Sequence, residues 1–89
     1  MASSNQRKLI KLWRSKGYFV LNLIKTSTFG IPDIVALKPN HVVFIESKEK
    51  WDKLRPLQKI VIRKLIRLGF EVYLNKKKCH PEVKKTNLF

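Results

Sequence analysis

Gly30 to Lys48 reads GIPDIVALKPNHVVFIESK. Two apolar runs, residues 31–37 and 42–48, flank Lys38-Pro39-Asn40-His41, whose residue types suit a tight turn, so the segment is expected to form a β-hairpin. Asp33 stands near the start of the first run, and the second ends in Glu46-Ser47-Lys48. The chain has only six acidic residues against twenty basic ones. Two of those six in a hairpin built for burial call for a chemical reason.

Side chains alternate across a strand. Val42, Phe44, Glu46 and Lys48 therefore share one face, and Val43, Ile45 and Ser47 the other. On the first run Ile31, Asp33, Val35 and Leu37 point together. A hairpin closed around residues 38–41 pairs positions whose numbers sum to about 79, which sets Asp33 opposite the region of Glu46. Two carboxylates and one ammonium then converge at the end of the hairpin far from its turn. Close carboxylates repel, and one takes up a proton unless a cation intervenes. Mg²⁺, with Mn²⁺ as its substitute, is the expected cation, because it takes hard oxygen ligands while keeping waters and phosphate oxygens. Asp33, Glu46 and the main-chain carbonyl of Ser47 are the candidate ligands. Lys48 stands where it can orient or help deprotonate a water attacking a phosphodiester, or stabilise the developing charge.

Around the hairpin the chain divides cleanly. Ser3-Ser4-Asn5-Gln6 has capping-box spacing, with Ser3 as N-cap and Gln6 as the expected partner. Leu9, Leu12 and Trp13, with Ile10 beside them, form an apolar stripe for a helix over about 4–16, which Gly17 ends. Residues 18–24 (YFVLNLI) read as a strand and 25–30 (KTSTFG) as a polar loop. After a charged loop over 49–55, Pro56 suits a helix start. Leu57, Ile60, Val61, Leu65 and Leu68 repeat at helical spacing up to Gly69, and residues 70–74 (FEVYL) read as a last strand. From about residue 75 a basic tail without periodicity is expected. The order is α-β-β-β-α-β, an antiparallel meander followed by a helical crossover that returns the last strand parallel to one already present.

At 89 residues this is one domain, 1–89, with a small core. Its formal net charge of +14 points to a polyanion, with nucleic acid the usual one. No run approaches a spanning helix, and no apolar signal segment is evident before Lys16. The single Cys79 precludes an internal disulfide. An intracellular setting and no membrane partner are expected, in a bacterium or a virus-infected host cell. Lys50, Lys53 and Arg55 after the motif, and Lys25, Ser27 and Thr28 before it, are candidate phosphate contacts. Trp13 belongs to the core stripe; Trp51, in a charged loop, suits stacking on a base or meeting a subunit. His41 and His80 read as plain surface residues.

Pro32-Asp33 followed by Glu46-Ser47-Lys48 resembles the PD-(D/E)xK nuclease motif, and the element order matches that superfamily's restriction-endonuclease-like core. Gly30-Ile31-Pro32-Asp33-Ile34, Phe44-Ile45-Glu46-Ser47-Lys48, Leu57-Gln58 and Leu68-Gly69-Phe70-Glu71-Val72 are similar to the virus-type replication-repair nuclease (VRR-NUC) domain. That resemblance implies a Mg²⁺- or Mn²⁺-dependent DNA endonuclease acting as a homodimer on branched DNA such as four-way (Holliday) junctions. It further implies Asp33 and Glu46 as metal ligands, Lys48 as the catalytic lysine and Gln58 as a glutamine bordering the site. Related nucleases carry a glutamate on the first helix; its counterpart here is Gln6, or the neighbouring Asn5, and neither is an anion. The alternative is a non-catalytic basic nucleic-acid-binding module with a nuclease-like fold.

Overall fold

The computed structural model describes residues 3–80. Seven elements follow in order: α1 Ser4–Ser15, β1 Phe19–Asn22, β2 Ile34–Lys38, β3 His41–Glu46, α2 Pro56–Arg67, β4 Glu71–Leu74 and β5 Lys77–Lys78. The five strands form one sheet in the order β1-β2-β3-β4-β5. The first three are antiparallel neighbours, β4 joins β3 in parallel, and β5 pairs antiparallel with β4. The α/β order, the meander and the parallel return all follow the sequence pattern, and the fold is compatible with the restriction-endonuclease-like class.

Each helix covers one face of the sheet. Ser3 Oγ accepts a hydrogen bond from Gln6 N (3.1 Å) and starts α1. Gly17, at φ 91°, lets the chain turn back after the helix. Leu9, Ile10 and Trp13 of α1 pack with Val20, Ile34, Ala36, Val43 and Ile45. On the opposite face Ile62 and Leu65 of α2 pack with Val72, flanked by Phe44, Val61 and Ile66. Val43 and Ile45 thus face α1 while Phe44 faces α2, the alternation expected of β3.

Several boundaries shift. β2 begins at Ile34 rather than Ile31, because Pro32 has no N–H to give to a ladder. Asp33 therefore immediately precedes the strand, although its carbonyl still accepts from Leu23 N at 2.7 Å. β3 stops at Glu46, leaving Ser47 and Lys48 just beyond it, and β1 spans only Phe19–Asn22. The segment from residue 75 is not structureless: Asn75, at φ 56°, turns the chain so that Lys77 and Lys78 pair with Leu74 and Tyr73. Lys84 and Lys85 of the expected tail lie outside the described residues.

The stripe expected on α2 is only partly its buried face. Leu57, Ile60 and Leu68 are exposed, and the inward ridge is Val61, Ile62, Leu65 and Ile66. The apolar repeat ran around enough of the helix to fit two faces, and the sheet took one of them. Nor is His41 a plain surface residue. Its ring joins Tyr18 Oη at Nδ1 (2.8 Å) and a Glu71 carboxylate oxygen at Nε2 (2.9 Å). This chain pins the start of β3 to the residue before β1 and to β4.

The β2–β3 register runs from Lys38 opposite His41 to Ile34 opposite Ile45. One step further brings Asp33 beside Glu46, as the pairing sum requires. Gly30, at φ 85°, lets the preceding loop press against α2: a Cβ there would lie 2.8 Å from the Leu57 carbonyl oxygen. Gly30→Ala is therefore expected to cost about 1–3 kcal/mol and to lower Tm by at least several degrees. Gly69→Ala meets nothing within 4 Å and bears only the strain of its left-handed backbone at φ 98°. Thermal unfolding by circular dichroism compares the two, and equal losses would contradict the packing of the Gly30 loop on α2.

Candidate active site

Glu46 is the one buried charged residue among the described residues, at 5% exposure. The end of β3 carries it there, and alternation turns it toward α2. On the first turn of α2, Gln58 donates from Nε2 to a Glu46 carboxylate oxygen at 3.1 Å. The same side chain accepts from Arg55 N through Oε1 at 2.8 Å, which closes the helix N-terminus. Gln58 is thus held at both ends of its amide. Lys48 Nζ lies 3.8 Å from the same Glu46 oxygen, with both side chains largely buried.

Asp33, immediately before β2, lies beside Glu46. One of its carboxylate oxygens accepts from Ser47 N at 3.1 Å. Burial pushes the Glu46 carboxyl up to about 7, the charge of Asp33 adds to that, and the Lys48 ammonium, the Asp33 amide and the Gln58 side chain oppose it. Burial also raises Asp33, against the Ser47 amide, its own amide and Lys48. The two acids sit in each other's field with too little cation nearby. Among the described residues no third His, Cys, Asp or Glu side chain completes a metal-binding group. The donors present are therefore two carboxylates and main-chain carbonyls, all hard oxygens, and a divalent ion of the Mg²⁺ kind fits that set.

Polar residues of α1 line the opposite side of the same strand ends. Asn5 Nδ2 donates to Ser47 Oγ (2.9 Å), to the Lys48 carbonyl (3.3 Å) and to Asn75 Oδ1 (2.9 Å). Asn75 Oδ1 also accepts from Lys48 N at 2.9 Å. Gln6 contributes its amide N–H to the Ser3 cap, but its side chain does not return to complete the capping box. Instead its Nε2 donates to Asn22 Oδ1, on the strand beside Asp33. Both candidate counterparts of the missing helix-one glutamate therefore reach toward the motif, Gln6 on the Asp33 side and Asn5 on the Ser47–Lys48 side.

Outside this cluster the candidate contacts separate. Lys50 joins Lys8, Lys11, Lys48, Lys76 and Asn5 along an open groove of about 820 Å³ between α1 and the loops after β3 and β4. Lys53 and Arg55 are exposed on the loop leading to α2. Lys25, Ser27 and Thr28 are exposed on the loop between β1 and β2, which runs on to Asp33. Trp51 is 77% exposed. Asn22 and Asn75 were not singled out by sequence. A lone Asn in a strand end or turn reads as local backbone chemistry, and only the long-range pairing shows what each side chain meets.

A mixed sheet flanked by helices, with Asp33, Glu46 and Lys48 gathered where β2 starts and β3 ends, defines a nuclease of the PD-(D/E)xK class. The family model for archaeal Holliday junction resolvase (Hjc) matches residues 2–84, and the chain belongs to that family. It is accordingly a metal-dependent, structure-selective nuclease whose partner is branched DNA. The likeness to VRR-NUC domains stands here at the level of the shared superfamily. No curated protein matches the chain. Among the described residues no helix is long and apolar enough to cross a membrane.

The raised Glu46 carboxyl has a thermodynamic consequence. In the folded, metal-free protein it binds its proton up to about pH 7, whereas the unfolded chain releases it near its ordinary value of 4.5. Between those two pH values the folded state holds more protons, so stability falls as pH rises and levels off above about 7. In EDTA, Glu46→Gln is expected to remove this decline and to be the more stable protein at pH 8. Urea unfolding at pH 5 and pH 8 measures it, and an equal pH dependence in both proteins would contradict the buried carboxylate.

Proposed function

We propose that Asp33 and Glu46, with the Ser47 carbonyl, hold Mg²⁺, for which Mn²⁺ substitutes, and that Lys48 is the catalytic lysine in hydrolysis of a DNA phosphodiester. The observation that carries this reading is the buried, mutually repelling acid pair with an ammonium 3.8 Å from one member. An ion held by these residues would neutralise the pair and would supply Lewis-acid chemistry to the phosphate and its attacking water. Lys48 orients that water or stabilises charge on the phosphate oxygens. Gln58 fixes the Glu46 carboxylate by its hydrogen bond to the oxygen that also faces Lys48.

DNA reaches this centre along positive surface. The groove lysines, with Lys53 and Arg55 beyond them and Lys25, Ser27 and Thr28 at the far side of Asp33, take backbone phosphates. Binding of this kind is salt-dependent and largely indifferent to sequence. The Gly30–Ile34 and Phe44–Lys48 motifs, similar to those of the virus-type branch, also support action within a viral or cellular DNA-processing setting.

A two-fold dimer completes the reading. Phe19 and Leu21 lie on the α2-side face of β1, which is exposed beside the helix. Ile24, Phe29, Leu57 and Ile60 add exposed apolar surface on the neighbouring loop and helix. Burying this face between two copies would stabilise a small fold and present two active sites about one axis, matching the symmetry of a four-way junction. The apolar stripe of α1 is less available for such an interface, because Leu9, Ile10 and Trp13 pack on the sheet.

Cleavage of a labelled four-way junction, beside a linear duplex of the same sequence, tests the whole reading. Mg²⁺ or Mn²⁺ is expected to support paired nicks in opposing strands by a species of twice the 10.5 kDa chain mass, and EDTA to stop them. Asp33→Asn and Lys48→Ala are each expected to abolish cutting, the first with weaker metal binding and the second without. Wild-type rates in either variant would overturn the assignment.

Gln6 offers an independent check. Glutamate at this position would restore the acid missing from helix one, and Asn22 can rotate its amide to donate to it. Gln6→Glu is expected to tighten Mn²⁺ binding in calorimetry or to widen the range of metals that support cutting. Unchanged binding and unchanged metal range would confine Gln6 to its structural bond with Asn22.

A further inference from the structure

Asn75 occupies the turn between β4 and β5 in the left-handed region, at φ 56°, a conformation asparagine tolerates better than most residues. That alone would make it a turn residue. Its other contacts reach across the sheet to the motif. Asn75 N donates to the Glu46 carbonyl at 2.8 Å. Its Oδ1 accepts from Lys48 N at 2.9 Å and from Asn5 Nδ2 at 2.9 Å. Asn5 in turn bonds Ser47 Oγ and the Lys48 carbonyl. The backbone of Glu46 and of Lys48 and the hydroxyl of Ser47 are thus gripped at successive residues by two asparagines, one from α1 and one from the turn after β4.

This grip falls where the strand ladder runs out. β3 ends at Glu46, so Ser47 and Lys48 carry the catalytic segment beyond the last sheet pairing. Without another anchor the Lys48 backbone would be loop, and its ammonium would be free to leave Glu46. We propose that Asn75, braced by Asn5, is a positioning residue for catalysis that holds Lys48 in register with Glu46 and Asp33. The role rests on the assignment of Lys48 as the catalytic lysine. Asn75 touches neither metal nor phosphate in this role; it acts through the Lys48 main chain.

These hydrogen bonds make the role separable from the turn. Both side-chain contacts of Asn75 use its oxygen as acceptor, so Asn75→Asp keeps them, and aspartate also tolerates the left-handed backbone. Asn75→Gly suits the turn better still but removes both contacts. The test compares wild type, Asn75→Gly, Asn75→Asp, Asn5→Ala and Lys48→Ala for single-turnover cleavage and junction affinity, with thermal unfolding as the check on folding. Asn75→Gly is expected to lower the cleavage rate by about ten- to a hundredfold, with junction affinity held within about twofold. Asn75→Asp is expected to recover most of that rate, and Asn5→Ala to show a smaller loss of the same kind.

A wild-type rate in Asn75→Gly, with Lys48→Ala inactive, would overturn the positioning role and leave the active-site reading standing. Rates in Asn75→Asp as low as in Asn75→Gly would overturn it too, since the acceptor would then be irrelevant. Wild-type cleavage by Lys48→Ala would overturn both.

Discussion

Glu46 is held in a place that disfavours its charge. Burial and the field of Asp33 both act against the carboxylate, and one lysine 3.8 Å away with one glutamine amide does not offset them. A residue there for packing alone would be an apolar one, as Val43 and Ile45 are on the other face. A divalent cation between the two acids would make the arrangement favourable, and much of the surrounding structure holds the pair in place. Gln58 is locked between the helix start and Glu46, Asp33 is fixed by the Ser47 amide, and the loop before Asp33 is pressed against α2 at Gly30. The polar clamp of Asn5 and Asn75 does the same for the segment carrying Lys48.

The fold places these groups by a simple device. An antiparallel pair with a two-residue turn sets Asp33 and Glu46 side by side whatever lies at the far end, because the register is counted from the turn. Pro39 followed by Asn40 at φ 61° is the order a type II turn requires, and it fixes that count. The parallel return of β4 then brings Asn75 to the same end of the sheet as the motif. The basic groove, with Lys48 and Asn75 in its lining, opens at that end of the sheet.

The sequence showed the hairpin register, the α-β-β-β-α-β order and the gathering of Asp33, Glu46 and Lys48, because turn chemistry and strand alternation are local rules. What it could not show is tertiary. Leu57 and Ile60 fit a helical stripe as well as Ile62 does, and only the position of the sheet decides which ridge is buried. Gln6 matches a capping box by spacing, yet its side chain finds Asn22 instead. His41 and Asn75 carry no signal of their long-range partners, since those partners are 30 and 27 positions away along the chain. β5 was hidden because a Lys-rich pair has low strand propensity, and its pairing depends on the turn that Asn75 makes.

The central claim is that the acid pair exists to hold a cation at the end of β3. Anomalous diffraction from crystals grown with Mn²⁺ tests it directly. A single strong peak in contact with both the Asp33 and the Glu46 carboxylates, lost in Asp33→Asn, is the expected result. Mn²⁺ bound elsewhere on the protein, with no peak between those two side chains, would contradict the account.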